Sequence, residues 1–111
     1  MKLDWELFND LLKRTEDLPP GEWLEVTDPL EVEHALLLRD GGMIELIDAS
    51  PMDGQAVFIK RLALQGHNYL GHIRNETVSL KLRELVKQSG GKLAPYVLVA
   101  LAKKYAFDLL T

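Results

Sequence analysis

Residues 28–61 read DPLEVEHALLLRDGGMIELIDASPMDGQAVFIKR, and this stretch decides the fold. Asp28 can cap a helix, Pro29 suits the first helical position, and Glu31 completes an acidic variant of the capping box. The helix ends before the glycine pair 41–42, which tolerates a left-handed cap. The order helix, glycine link, strand, turn, strand is that of a helix-turn-helix recognition helix followed by a β-wing.

Two β-rich runs, Met43–Ile47 and Ala56–Arg61, are predicted to pair as the antiparallel strands of this wing. Turn residues lie between them at Pro51–Gly54. In the second strand, Phe58 and Lys60 fall on the face opposite the β-branched residues, because side chains alternate along a strand.

The flanking sequence adds four helices and one short strand. Their predicted positions are helices over residues 3–18, 64–73, 76–89 and 95–110, and a strand within 22–27. The sequence therefore predicts a single domain over residues 1–111. It is mainly α with a small antiparallel β-wing (α+β), winged-helix-like, with N-terminal helices and wing in 1–62 and extra C-terminal helices in 63–111.

The composition is that of a soluble globular domain. The chain has 111 residues, of which 47% are hydrophobic and 27% charged, and its net charge is −4. These values argue against disorder, collagen and a strongly basic nucleic-acid arm. The absence of cysteine excludes disulfides and thiolate metal sites. No apolar signal region opens the sequence, and the longest apolar run is too short to span a bilayer. We therefore expect a cytoplasmic location.

Three histidines are the main candidates for metal or proton chemistry. His67 and His72 are five residues apart, whereas ligands on one helix face are spaced three or four apart, so no metal site is expected. His34 and His67 are instead predicted to occupy packing or hydrogen-bonding positions near the wing. No serine lies in a nucleophile-elbow pattern, and no cofactor or small-molecule substrate is predicted. The chain is therefore not expected to be an enzyme.

The presumed recognition helix is poorly suited to reading DNA. Projection of residues 30–39 places Glu31, His34 and Leu38 on the exposed arc, and none of them is a typical base-reading side chain. Basic residues lie elsewhere, as candidate contacts for a partner or a nucleic acid: Lys60 and Arg61 in the wing, and Lys81, Arg83 and Lys87 on the helix over 76–89. The N-terminal 65 residues carry a net charge of −8 and the remainder +4.

The last helix carries two apolar stripes at 100° per residue. The first is predicted to face the core and consists of Val97, Leu98, Leu101, Tyr105 and Leu109. The second is Tyr96, Ala100, Lys103 and Phe107, spaced four, three and four residues apart. Two aromatic residues around a small one are unusual on a solvated face, so this stripe is the candidate interface of a symmetric dimer.

The segments Leu64–Val78 and His34–Glu45, with the start Met1–Asp4, resemble the domain-of-unknown-function 2513 family of small bacterial and phage proteins. The resemblance spans essentially the whole chain, although Ala63 stands where the family motif has a threonine that could cap a helix. It implies a winged-helix-like fold and a frequent origin in mobile elements. It implies no reaction.

The sequence is compatible with three classes of function. The leading prediction is a non-catalytic module that binds another protein, with a homodimer as a further expectation. The alternative is a DNA-binding transcriptional regulator that uses the wing and the basic helix. A hydrolase with paired carboxylates is the third, because two acidic side chains from different elements could meet across a cleft.

Overall fold

The computed structural model describes residues 2–49 and 56–110. The elements in chain order are α1 Trp5–Glu16, β1 Leu24–Val26, α2 Pro29–Asp40, β2 Ile44–Asp48, β3 Val57–Leu62, α3 Leu64–Ile73, α4 Glu76–Gln88 and α5 Pro95–Leu110. The predicted order and the mainly α, α+β class are confirmed, with the ends of the elements shifted by at most two residues.

Local capping chemistry sets several helix ends. The Asp28 carboxylate accepts the Glu31 N–H at 3.1 Å, and Asn75 accepts the N–H groups that begin α4. Such caps typically contribute about 1 kcal/mol each. The Glu31 carboxylate does not turn back to its own helix; it binds Arg14 of α1 at 3.0 Å. That part of the predicted capping box is therefore replaced by a contact between α1 and α2.

The three strands form one antiparallel sheet in the order β1-β3-β2. The predicted wing pairing is confirmed, with Ile47 opposite Phe58. The short run within residues 22–27 becomes an edge strand on the other side of β3. A bulge at Glu45/Leu46 shifts the register so that Lys60 has no residue opposite it on β2. The predicted turn at Pro51–Gly54 lies outside the described residues.

The helix-turn-helix motif is not found at its predicted place. The element before α2 is strand β1, which ends at Val26, so α2 has no helix immediately ahead of it. Two consecutive helices with a two-residue link occur later, where Arg74 and Asn75 join α3 to α4. The β2–β3 hairpin and the three-stranded sheet are present, and the prediction of a recognition helix in α2 is wrong.

The helices cover one face of the sheet only. Helices α1, α2 and α3 contact β3, whose Val57 and Ile59 are fully buried against them. Phe8 of α1 meets Tyr69 of α3 edge to face, with ring centroids 6.0 Å apart. Helix α5 closes the far side on α3 and α4, with Leu98 buried. The other face of the sheet has no helix of the described chain packed on it.

The predicted exposure of His34 and Leu38 on α2 is wrong, because both are fully buried. The Asp4 N–H donates to His34 Nε2 at 2.9 Å, and His34 Nδ1 lies 2.9 Å from the Leu30 carbonyl oxygen. Since Nε2 accepts, Nδ1 carries the proton and donates it. Helix α2 is enclosed by α1, the sheet and α5, which leaves it a narrow solvent face. Its exposed residues include Leu30, Glu33, Arg39 and Asp40.

The predicted core stripe of α5 is only partly correct. Leu98 is buried, whereas Leu101 and Tyr105 are half-buried and Leu109 is 46% exposed. Ala102, which was not assigned to the core, is fully buried. The small Ala102 lets α5 approach its neighbours closely, and the last turn of the helix extends beyond them.

Candidate functional site

The uncovered face of the sheet carries an aromatic cluster. Trp23, just before β1, lies 6.3 Å from Phe58 of β3 between ring centroids, and the Lys60 ammonium lies 5.6 Å from the Trp23 ring. Ile47 of β2 is paired across from Phe58. Trp23 is 49% exposed and Ile47 is 40% exposed. We call these four residues the aromatic sheet face.

A groove adjoins this face, between the loop after α1, strand β3 and helix α3. Its volume is about 500 Å³, and its walls include Glu22, Trp23, Lys60, Arg61 and His67. The Arg61 guanidinium is hydrogen-bonded to Glu45, which lowers the pKa of that carboxyl and raises the pKa of Arg61. The groove walls therefore carry both charge signs and an exposed ring, rather than an excess of one sign.

The Leu64–Leu70 part of the sequence motif explains how α3 is seated. A Cβ on Gly66 would lie 2.1 Å from the Met43 carbonyl oxygen, so α3 can approach the start of β2 only with glycine there. Tyr69 is buried and donates to Asn9 Oδ1 at 3.0 Å, and burial raises its pKa. His67 has no such packing role: it is exposed and faces the groove.

The structure brings three of the predicted site residues together and separates the others. Lys60, Arg61 and His67 line the groove described above. On α4, the Lys81 ammonium lies 5.2 Å from the Tyr105 ring, and Arg83 forms an ion pair with Glu6 at 3.1 Å.

Arg83 and Lys87 line a different groove, whose other walls are the N-terminal segment and the start of α2. The five predicted cationic contacts and His67 therefore do not form one continuous surface. His34, the seventh, is a buried structural residue.

The predicted dimer stripe of α5 is exposed to solvent. Tyr96 is 71% exposed and Phe107 is 64% exposed, and both Ala100 and Lys103 are exposed between them. We call these four residues the α5 ridge. Tyr96, Ala100 and Lys103 of the ridge also line a cavity of about 330 Å³ between α5 and α3, where His72 lies.

Within the described residues, no three His, Asp or Glu side chains gather as a metal site. His67 faces the groove beside β3, and His72 faces the cavity beside α5, so they lie on different sides of α3. No helix in the part of the chain that the structure describes is long and apolar enough to cross a membrane.

The aromatic sheet face was missed as a site by sequence reasoning. Strand alternation placed Phe58 and Lys60 on one face, opposite Val57 and Ile59; in the structure Val57 and Ile59 are buried, Phe58 is half-buried and Lys60 is exposed. The missing step was the pairing of residues 24–26 with β3, which brings Trp23 to the same place. The signal available in the sequence was a tryptophan beside a short run predicted as a strand.

Comparison with known proteins gives a family and a relative. The family model described as "Hypothetical protein (DUF2513)" matches residues 2–92. An uncharacterised protein of Haemophilus influenzae is 31% identical over 94 residues, covering 78% of this chain and 80% of the relative. No solved structure matches. The aromatic sheet face and its groove lie within the residues that the family model matches, and α5 lies beyond them. The chain belongs to the DUF2513 family.

Proposed function

We propose that this chain is a non-catalytic protein-binding module that uses the aromatic sheet face and the adjoining groove. The observation that carries the proposal is the pair of rings, Trp23 and Phe58, on a sheet face that no helix of the described chain covers. Aromatic residues with a polar rim are typical of the energetic centre of protein interfaces. We expect a module of this phage or mobile-element type to act in the cytoplasm of the bacterial host.

The chemistry of the surface favours an apolar segment of polypeptide as the ligand. The apolar contact area comes from Trp23, Ile47 and Phe58. At the groove, the Glu22 carboxylate can accept a hydrogen bond from a peptide N–H, and the Lys60 ammonium can donate one to a peptide carbonyl. Because the groove carries both charge signs, it offers no field that would select a phosphate group.

The competing DNA-binding function has weaker support. Of the five predicted cationic contacts, four already interact within the chain: Lys60 with Trp23, Arg61 with Glu45, Lys81 with Tyr105 and Arg83 with Glu6. Phosphate neutralisation supplies most non-specific affinity for DNA, and these contacts would have to be given up. The exposed side of α2 presents Leu30, Glu33 and Arg39, and the Arg39 guanidinium is ion-paired with the Asp40 carboxylate at 3.2 Å.

The non-catalytic part of the proposal is supported by the state of the histidines. Both nitrogens of His34 are hydrogen-bonded inside the protein, so this ring has no free nitrogen to exchange a proton with a substrate. His67 is exposed, and the one hydroxyl among the side chains that line its groove is that of the buried Thr15, which donates to the Leu11 carbonyl.

The test is selection of a random peptide library on the immobilised chain, followed by titration of enriched peptides in solution. We expect Trp23→Ala and Phe58→Thr each to weaken binding at least tenfold, with threonine chosen because it retains β-propensity. Trp5 is buried in the core, so Trp5→Phe leaves Trp23 as a fluorescence reporter of the site.

Leu80→Ser is the matched control, because Leu80 is a large apolar residue exposed on α4 away from the sheet. Peptides that lose affinity equally in this control would contradict the assigned surface. The DNA alternative is measured in parallel by fluorescence anisotropy with random duplex DNA. Sub-micromolar binding at physiological salt that is lost in Arg83→Glu with Lys87→Glu, and kept in Lys92→Glu, would favour it over the protein-binding function.

A further inference from the structure

The α5 ridge is a second exposed apolar surface, and it is independent of the sheet. Leu98 and Ala102 are buried on the other side of α5, which fixes the ridge toward solvent. Tyr96 and Phe107 are eleven residues apart, which is three helical turns and about 16 Å along the axis. Leu110, 85% exposed, extends the same stripe by one turn.

The order of residues along the ridge matches an antiparallel copy of itself. If two α5 helices meet about a two-fold axis midway between Ala100 and Lys103, Tyr96 of each chain lies level with Phe107 of the other. In the same register Ala100 lies level with Lys103 of the second chain, so a small residue faces a long one. A symmetric pair therefore forms each of these contacts twice.

We propose that the occupant of the α5 ridge is a second copy of this chain, packed antiparallel in that register. Each chain would bury the rings of Tyr96 and Phe107 together with Val99 and Leu110. The buried area would be on the order of 1,000 Å² in total, which is the size of a weak, reversible interface. The dimer does not rest on the proposed peptide-binding function, because no residue of the aromatic sheet face takes part in it.

Charge gives this dimer a distinguishing property. The register places the two Lys103 side chains about one turn apart across the two-fold axis, so they repel one another. Salt screens this repulsion, and higher salt also strengthens apolar association. The self-association constant therefore rises with salt, whereas binding of a foreign acidic helix to the same lysines would fall.

Sedimentation velocity from tens of micromolar upward tests the association. We expect reversible dimers in the parent, at least tenfold weaker association in Phe107→Glu and in Tyr96→Glu, and tighter association in Lys103→Ala. Leu80→Glu is the matched control and should behave as the parent. A parent that stays monomeric, a Phe107→Glu protein that dimerises like the control, or a dimer that weakens with salt would each overturn the proposal.

Cysteine pairing tests the register, since the natural chain has no cysteine. Ala100→Cys and Lys103→Cys are prepared as separate proteins, which leaves both rings in place. On mild oxidation, an equimolar mixture should form the mixed disulfide dimer in much more than the roughly twofold excess over either self-linked dimer that random pairing gives, and Leu80→Cys should not link. A mixed dimer at or below that random proportion would overturn the register.

Discussion

The interior and the uncovered sheet face distribute their side chains in opposite ways. Inside, the polar groups of His34, Asn9 and Tyr69 are all hydrogen-bonded within the chain. Outside, Trp23 contacts Phe58 and Lys60 and is 49% exposed, while Phe58 is half-buried. The buried polar residues are therefore explained by folding alone. The half-exposed Trp23 ring is not held by a comparable network, which is why we propose this face as a binding surface.

The largest loss of stability is expected for a substitution in the interior, at Gly66, where α3 approaches the start of β2. We expect Gly66→Ala to destabilise the protein by about 4 kcal/mol, because the new methyl group would overlap the Met43 carbonyl oxygen, which also accepts the Ala63 N–H at 2.9 Å. Chemical denaturation monitored by circular dichroism measures this. Gly71→Ala is the control, because nothing lies within 4 Å of its added Cβ, and it should retain or gain stability.

Substitutions of His34 and His67 should have different effects on the free energy of unfolding in the same assay. His34→Ala leaves a cavity and removes the partners of the Asp4 N–H and the Leu30 carbonyl, so we expect a loss of about 3 kcal/mol. His67→Ala removes an exposed ring and should change stability by less than about 0.5 kcal/mol. Equal effects in the two variants would remove the distinction between a structural and a surface histidine.

Substitution of Tyr69 should cause a smaller loss of stability, and that loss should depend on pH. Tyr69→Phe leaves Asn9 Oδ1 without its donor and should cost about 1–2 kcal/mol at neutral pH. Burial raises the pKa of Tyr69, so the unfolded chain loses this proton near pH 10 while the folded protein retains it. Stability is therefore fully present below about pH 10 and falls above it, by about 1.4 kcal/mol at pH 11.

Comparing the unfolding free energies of the parent and Tyr69→Phe from pH 8 to pH 11 isolates this contribution. The difference between the two proteins should shrink as the solution becomes alkaline. A difference that stays constant through about pH 11 would mean that the ring is ionised as readily in the folded protein as in the unfolded chain.

The smallest effect on folding is expected on the aromatic sheet face. Trp23→Ala should change the free energy of unfolding by less than about 1 kcal/mol, because the ring is half exposed and lies outside a strand. Thermal and chemical denaturation measure this. A much larger loss would reassign the ring to folding and weaken the case for a binding role.

Local chemistry explains why most of the fold was predictable. Asp28, Asn75 and Pro95 act within one turn of the helices they begin, so their effects can be read without tertiary contacts. The 3.6-residue period placed Tyr96 and Phe107 on a common exposed ridge for the same reason. These features depend on neighbours only a few residues away.

The incorrect and missing predictions concern features that depend on tertiary contacts. The exposed arc of α2 was placed by assuming one buried side, whereas α1, the sheet and α5 enclose that helix and bury His34 and Leu38. The pairing of β1 with β3 joins residues more than thirty positions apart, which no local period encodes. The candidate site depends on that pairing, because it places Trp23 beside Phe58.

The N-terminal segment joins two distant parts of the molecule through consecutive amides. The Leu3 N–H donates to the Gly91 carbonyl beyond α4 at 2.7 Å, and the next amide, that of Asp4, donates to the His34 ring on α2. The amide NMR resonances of two consecutive residues, Leu3 and Asp4, therefore report on separate regions of the chain. Their exchange with deuterium can show whether the C-terminal helices open independently of α2, without any label added to either region.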